Sequence, residues 1–210
     1  MKNLIAILLA TALLSGCGGS SNQIAFSSNR SGYHEIYLVD SDATDVIRLT
    51  YTWGDNLAPS WSPVDKQIVF SRGQGGNFQI YVMDSDGTDV IQLTDSGEKN
   101  WAPSWSPDGK QIAFSSDRFG DGEEIYVMDS DGTNVIQLTN TEETNWGPSW
   151  SPDGKQIAFS SDRFGDGEEI YVMDSDGTNV IQLTNTEETN WGPSWSPDGK
   201  QIAFSSDRFG

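Results

Sequence analysis

The chain has 210 residues, 20% of them charged and 35% hydrophobic, with 31 acidic side chains against 12 basic ones and a net charge of −19. It is too apolar and aromatic for a disordered polymer. It also lacks the basic patch that binding to nucleic acid or anionic membrane requires, and favours cations and basic partners instead.

Met1 to Gly16 reads as a secretion signal. Lys2 gives a short basic start, and Leu4 to Leu14 is an apolar run of eleven residues. A membrane-spanning helix needs roughly 20 residues, whereas the core of a signal peptide is about this short. A buried N-terminal helix is the alternative. Leu14-Ser15-Gly16-Cys17 resembles the bacterial lipobox, in which the peptidase cuts before a diacylglycerol-bearing cysteine. Cys17 is the only cysteine, so it is the expected lipid attachment site and no intramolecular disulfide can form. Residues 17–22 make a short Gly/Ser tether. Loss of Lys2 with the signal takes the charge from −19 to −20. Gly18 rather than aspartate follows the cysteine. By resemblance to Gram-negative sorting this implies the outer membrane, facing the periplasm or the cell surface.

From residue 23 onward the chain repeats itself. PSWSPDGKQIAFSSDRFG begins at Pro103, Pro148 and Pro193, a spacing of 45, and Pro103–Gly165 is identical to Pro148–Gly210 over 63 residues. A diverged copy begins at Pro59 and a partial one at Gln23. Trp61, Trp105, Trp150 and Trp195 keep the register at intervals of 44, 45 and 45. Each period holds four short β-like runs, exemplified by Pro103–Ser106, Lys110–Ser116, Glu124–Asp129 and Val135–Thr139. Alternation of period two places Ile112 with Phe114, Tyr126 with Met128, and Ile136 with Leu138. Asp108-Gly109 and Asp131-Gly132 supply hairpin chemistry that tolerates positive φ. About 45 residues in a four-stranded antiparallel meander is the size of a propeller blade.

The series P-x-W-S-P-D-G-x-x-I-A-F-x-S-D-R, I-Y-V-M-D, D-G-T and L-T resembles the WD-like repeat of the TolB-like β-propeller family. The expected fold is all-β, with about four blades. There is a partial blade at 23–50, blades at 59–94, 103–139 and 148–184, and a partial blade at 193–210, together filling 23–210. The family it resembles usually has six blades, so an incomplete, open arc of a longer protein is expected. The alternative is a four-blade ring in which Pro193–Ser196 pairs with Gln23–Ser28.

Up-and-down strands put alternate loops on one face. The long-loop face carries Asp117, Asp121, Glu123, Glu124, Glu142 and Glu143 against Arg118, a net −5. The tight-turn face carries Asp108, Asp129 and Asp131 against Lys110, a net −2. Binding residues favour long loops. The candidate interaction face is therefore Asp117, Asp121, Glu123, Glu142, Glu143 and Trp146, with their copies Asp162, Asp166, Glu168, Glu187, Glu188 and Trp191. Trp101, Trp146 and Trp191 could stack on a ligand, but capping the space between blades is the favoured role.

No cofactor is expected. Asp129 to Asn134 superficially resembles a calcium loop, but its glycine sits at position 4 where an EF-hand needs position 6. Calcium at Asp117, Asp121 and Glu123 is the minor alternative. His34 is the only histidine, no G-x-S-x-G elbow occurs, and the acids recur in every repeat. The expectation is a non-catalytic binding or scaffold module of the bacterial envelope with a protein partner, possessing no nucleic-acid site. The repeat is also similar to propellers of prolyl oligopeptidase-like enzymes, so the alternative is the propeller portion of a longer hydrolase.

Overall fold

The structure, a computed structural model, describes residues 23–42, 44–118, 122–163 and 167–207. Five antiparallel sheets follow one another. The first holds β1 (Gln23–Ser31), β2 (Tyr33–Asp40) and β3 (Val46–Arg48). Three complete four-stranded blades come next. They are β4 (Asp55–Trp61) to β7 (Ile91–Gln92), with β5 (Gln67–Gln74) and β6 (Asn77–Asp84) between; then β8 (Asn100–Trp105), β9 (Gln111–Ser116), β10 (Glu124–Asp129) and β11 (Ile136–Gln137); then β12 (Asn145–Trp150), β13 (Gln156–Ser161), β14 (Glu169–Asp174) and β15 (Ile181–Gln182). A two-stranded sheet of β16 (Asn190–Trp195) and β17 (Ile202–Ser206) ends the series.

Strands β4, β8, β12 and β16 lie against one another as the inner strands. Each starts about three residues earlier than the PSWS pattern suggests, because Asn100, Asn145 and Asn190 already pair with the neighbouring strand. The outermost strands are only two residues long. Such shortness limits the exposed edge that could recruit another chain. Strand β16 pairs with β17, matching Asn190 to Ser206 and Trp195 to Ile202. Among the described residues it does not pair with β1, so the sheets form an open arc.

Each blade is sandwiched between two others, and this explains why the strands read as nearly continuous apolar runs. Ala113, Ile125 and Val127 pack on Trp150, Ile157, Phe159, Tyr171 and Met173 of the next blade. The opposite faces of the same strands, Ile112, Phe114, Tyr126 and Met128, pack on Val69, Ile80 and Val82 of the previous one. Both alternating sets are buried. A large, ringed surface thus meets a small, β-branched one at each junction. Phe114 and Tyr126 stack with centroids 5.8 Å apart, and the Arg118 guanidinium lies 4.7 Å from the Tyr126 ring. The same trio recurs as Phe26, Tyr37 and Arg30, and as Phe159, Tyr171 and Arg163.

Candidate functional site

The long-loop face is built on a latch that repeats at each blade junction. Glu124 opens β10 and is only 6% exposed. Its carboxylate accepts from the Thr139 hydroxyl of its own blade and from Asn145 Nδ2 of the next blade at 2.8 Å. Asn145 Oδ1 in turn accepts from Arg163 Nη2 at 2.8 Å. Glu35 with Thr50 and Asn56, and Glu169 with Thr184 and Asn190, repeat the arrangement. Burial pushes the Glu169 carboxyl up, but donors from Thr184, Thr186 and Asn190 outweigh it and hold the group below the ordinary carboxylate value. Glu124 is therefore an interior group, and Arg118 is half-buried and donates to Asn100 Oδ1, so neither is the free surface charge that a count by loop makes it.

The neighbouring glutamate has the opposite fate. Glu123 is half-buried at the rim of the face, where its Oε2 accepts from Trp101 Nε1 at 2.8 Å. Its other oxygen is paired with Lys99 Nζ, and that ammonium sits 4.3 Å from the Trp101 ring centroid. One repeat later, Glu168 Oε1 accepts from Trp146 Nε1 at 3.1 Å. Trp101 and Trp146 stack across the blade boundary, with centroids 5.4 Å apart and planes inclined by 17°. The result is a row of half-buried indoles, each bonded to a carboxylate. Burial raises the Glu168 pKa, and Asp162 and Glu123 add to the rise against the Trp146 hydrogen bond.

The remaining candidates divide by role. Asp117 Oδ1 accepts from the Lys99 backbone N–H at 2.7 Å, and Asp162 does the same for Thr144 at 2.7 Å. These aspartates tie the incoming loop to the second strand. Glu142 and Glu187 project into solvent. Glu143 and Glu188 are half-buried, and their carbonyls accept from Thr141 and Thr186 at 3.1 Å. Trp191 is half-buried beside Ser205 in the β16–β17 pairing. Cys17, Asp121 and Asp166 lie outside the described residues. Among the described residues no three His, Cys, Asp or Glu side chains converge as a metal site. His34 Nδ1 lies 3.0 Å from Asp55 Oδ1, with both side chains more than a third exposed.

Sequence reasoning paired neither Trp101 with Glu123 nor Trp146 with Glu168. The signal was present, since each pair is separated by 22 residues in two successive repeats.

The TolB β-propeller domain model matches residues 18–118 and 98–206. Among solved structures, a TolB from Agrobacterium tumefaciens is 28% identical with a TM-score of 0.75, covering 90% of this chain and 72% of that one. TolB from Acinetobacter baumannii is 30% identical with a TM-score of 0.72, covering 86% of this chain and 45% of that one. An oligogalacturonate lyase from Vibrio parahaemolyticus, at 14% identity and a TM-score of 0.63 over 88% of this chain and 55% of that one, shares the fold alone. No curated protein matches the chain in sequence. With repeat motif, blade topology and family model in agreement over nearly all the described residues, the chain belongs to the TolB β-propeller domain family.

Proposed function

We propose that this chain is a non-catalytic binding and scaffold propeller of the bacterial cell envelope, held to a membrane by a lipid on Cys17. Its long-loop face receives a basic protein partner. The observation that carries this reading is the Trp101–Trp146 stack with Glu123 and Glu168 bonded to its indole N–H groups. An indole face beside a carboxylate is a seat for an ammonium or guanidinium, through cation–π attraction and ion pairing together. Lys99 occupies one such seat within the molecule, over Trp101 and against Glu123. A partner's lysine or arginine would use the same chemistry along the row. The net charge of −19 adds long-range attraction for a basic partner.

The reading of an envelope location rests on the lipobox-like Leu14-Ser15-Gly16-Cys17 and on the likeness to TolB proteins. Two measurements test the proposal. Hexalysine and a basic model protein should bind the full chain at low salt and weaken steeply towards about 0.5 M, because exposed charges are screened. Replacing Glu123 and Glu168 together with glutamine should flatten that salt dependence. Separately, a Cys17→Ser chain should leave the detergent phase for the aqueous one. Salt-insensitive binding would remove the basic-partner reading, and a membrane-bound Cys17→Ser chain would remove the anchor.

A further inference from the structure

The first blade junction keeps the latch but displays different chemistry. Thr52 N–H donates to Glu35 Oε1 at 2.8 Å, and Thr52 Oγ1 donates to Asn56's neighbouring loop carbonyl, Gly54 O, at 3.2 Å. The loop is thus fixed in the same frame as Thr141 on Glu124. In that frame Tyr51 stands where the later repeat has Asn140, Trp53 where it has Glu142, and Gly54 where it has Glu143. An amide and an acid have become aromatics, and a second acid a glycine, at this one junction.

The aromatics are not spent on packing. Trp53 is 88% exposed, Tyr51 72% and Tyr33 41%. Tyr51 is nonetheless held in place, since its hydroxyl donates to Arg48 O at 3.2 Å and the Arg48 guanidinium lies 4.3 Å from its ring. Trp53 and Thr52 form the shared wall of two clefts. One, of about 530 Å³, is flanked by Tyr33, Arg48 and Tyr51. The other, of about 390 Å³, is lined by Arg72, Gln74, Asn77, Gln79 and Asp95. Both volumes fall in the ~300–1,000 Å³ range of small-ligand sites. The second cleft exists because Gly54 and Gly73 meet backbone to backbone: a Cβ on Gly54 would lie 2.6 Å from Gly73 O.

We infer that Trp53 is the platform of a binding site for a neutral, pyranose-based oligosaccharide, with a sugar ring on each side of it. The lining decides the class. Neither cleft has an aliphatic side chain in its wall, only aromatic, amide, hydroxyl, glycine, guanidinium and carboxylate groups. A peptide anchor would seek an apolar pocket. A pyranose presents an apolar C–H face to a ring and equatorial hydroxyls to planar amides and guanidinium groups, which is the mixture found here. Arg48 is already paired with Glu35, and Asp95 stands in the wall of the same cleft as Arg72, so the lining carries no excess positive charge for an anionic sugar. This site is separate from the acidic row at Trp101 and Trp146, and its failure would leave the basic-partner reading standing.

The test is calorimetric titration of the full chain with the hexasaccharides of β-1,4-N-acetylglucosamine, cellulose and amylose, and with hexalysine. Fluorine spectra of 5-fluorotryptophan-labelled protein follow the individual indoles. At least one hexasaccharide should saturate and shift the Trp53 resonance. Trp53→Glu should weaken it about tenfold or more, as loss of an aromatic anchor does. That variant installs the residue which the third and fourth junctions carry in the same frame as Glu142 and Glu187, and so should melt as the wild type does. Three results would each overturn the proposal: no hexasaccharide binding tighter than about 10 mM, binding unchanged in Trp53→Glu, or a Trp53 resonance that moves with hexalysine and with none of the sugars.

Discussion

The side-chain amide of Asn145 donates to Glu124 Oε2 at 2.8 Å, joining the inner strand of one blade to the third strand of the blade before it. A buried carboxylate is costly unless its oxygens are satisfied. Thr139, Thr141 and Asn145 supply the donors here and fix the loop that carries Glu142 and Glu143, as Thr50, Thr52 and Asn56 on Glu35 fix the loop that carries Trp53.

Glu124→Ala leaves several buried donors without an acceptor and should cost about 2–4 kcal/mol. Glu124→Gln should cost only about 1 kcal/mol, because the second blade already uses Gln79 there, with Asn100 Nδ2 donating to its Oε1 at 3.0 Å. Urea unfolding followed by tryptophan fluorescence separates the two. Equal losses would mean that the latch is not what the junction depends on.

Two glycines of similar backbone shape should respond differently to alanine. Gly132 has φ +86°, and a Cβ there would lie 2.8 Å from Leu93 O of the previous blade. Gly147 has φ +65° with open space around it, and Ala58 and Ala102 occupy the equivalent bulge at φ 50° and 52°. Gly132→Ala should destabilise by about 1–3 kcal/mol and Gly147→Ala by less than about 1. Thermal melts of the two variants decide it, and a Gly147 variant that loses more would contradict the assigned equivalence.

Most of the fold was legible in the sequence because the blade is a local unit. Strands, hairpins and inner tryptophans all follow from period-two alternation and Asp-Gly turns within about 45 residues. The site was less legible, since its contacts cross blades. Glu123 and Glu124 are adjacent and chemically identical, yet Glu124 enters β10 and is buried in the latch while Glu123 lies half-buried against Trp101. Only the register against Ser116 and the distant Asn145 separates them. Arg118 likewise reads as a surface cation but lies on the Phe114–Tyr126 stack and donates to Asn100 Oδ1 at 2.8 Å. The aromatic junction at Tyr51 and Trp53 was hidden by its position in the least regular repeat, where divergence looks like decay.

Glu168 and Glu169 should respond oppositely to pH. Glu169 is held below its ordinary value of 4.5, so its contribution is present above that value and is lost as pH falls through its folded pKa. Glu168 is raised, chiefly by burial, so its neutral form is favoured by folding. Its contribution is full below 4.5 and is lost as pH rises through its folded pKa. Glu168→Gln should therefore raise the Tm at neutral pH, with the gain vanishing towards about pH 4. Glu169→Gln should lower the Tm at neutral pH, with the loss shrinking in acid. Melting curves between those limits check both signs. Parallel shifts of the two variants would refute the assignment.

Lys99 offers a direct test of what the indole row accepts. The later repeats have Thr144 and Thr189 at its position, so the lysine is not needed to build the blade. In place, it covers Trp101 and neutralises Glu123. Lys99→Thr should leave the melting temperature within a few degrees, because the next repeat keeps the equivalent Glu168 bonded to Trp146 with a threonine at this position. It should also open the seat and raise affinity for hexalysine at low salt by a few fold, through one added negative charge and a cleared indole face. The gain should disappear in a Lys99→Thr, Glu123→Gln double variant and shrink as salt rises. Calorimetric titration of the three proteins measures this. An affinity that stays level or falls when Lys99 is removed would show that the stacked tryptophans only seal the space between blades, and the basic partner would then have to bind elsewhere.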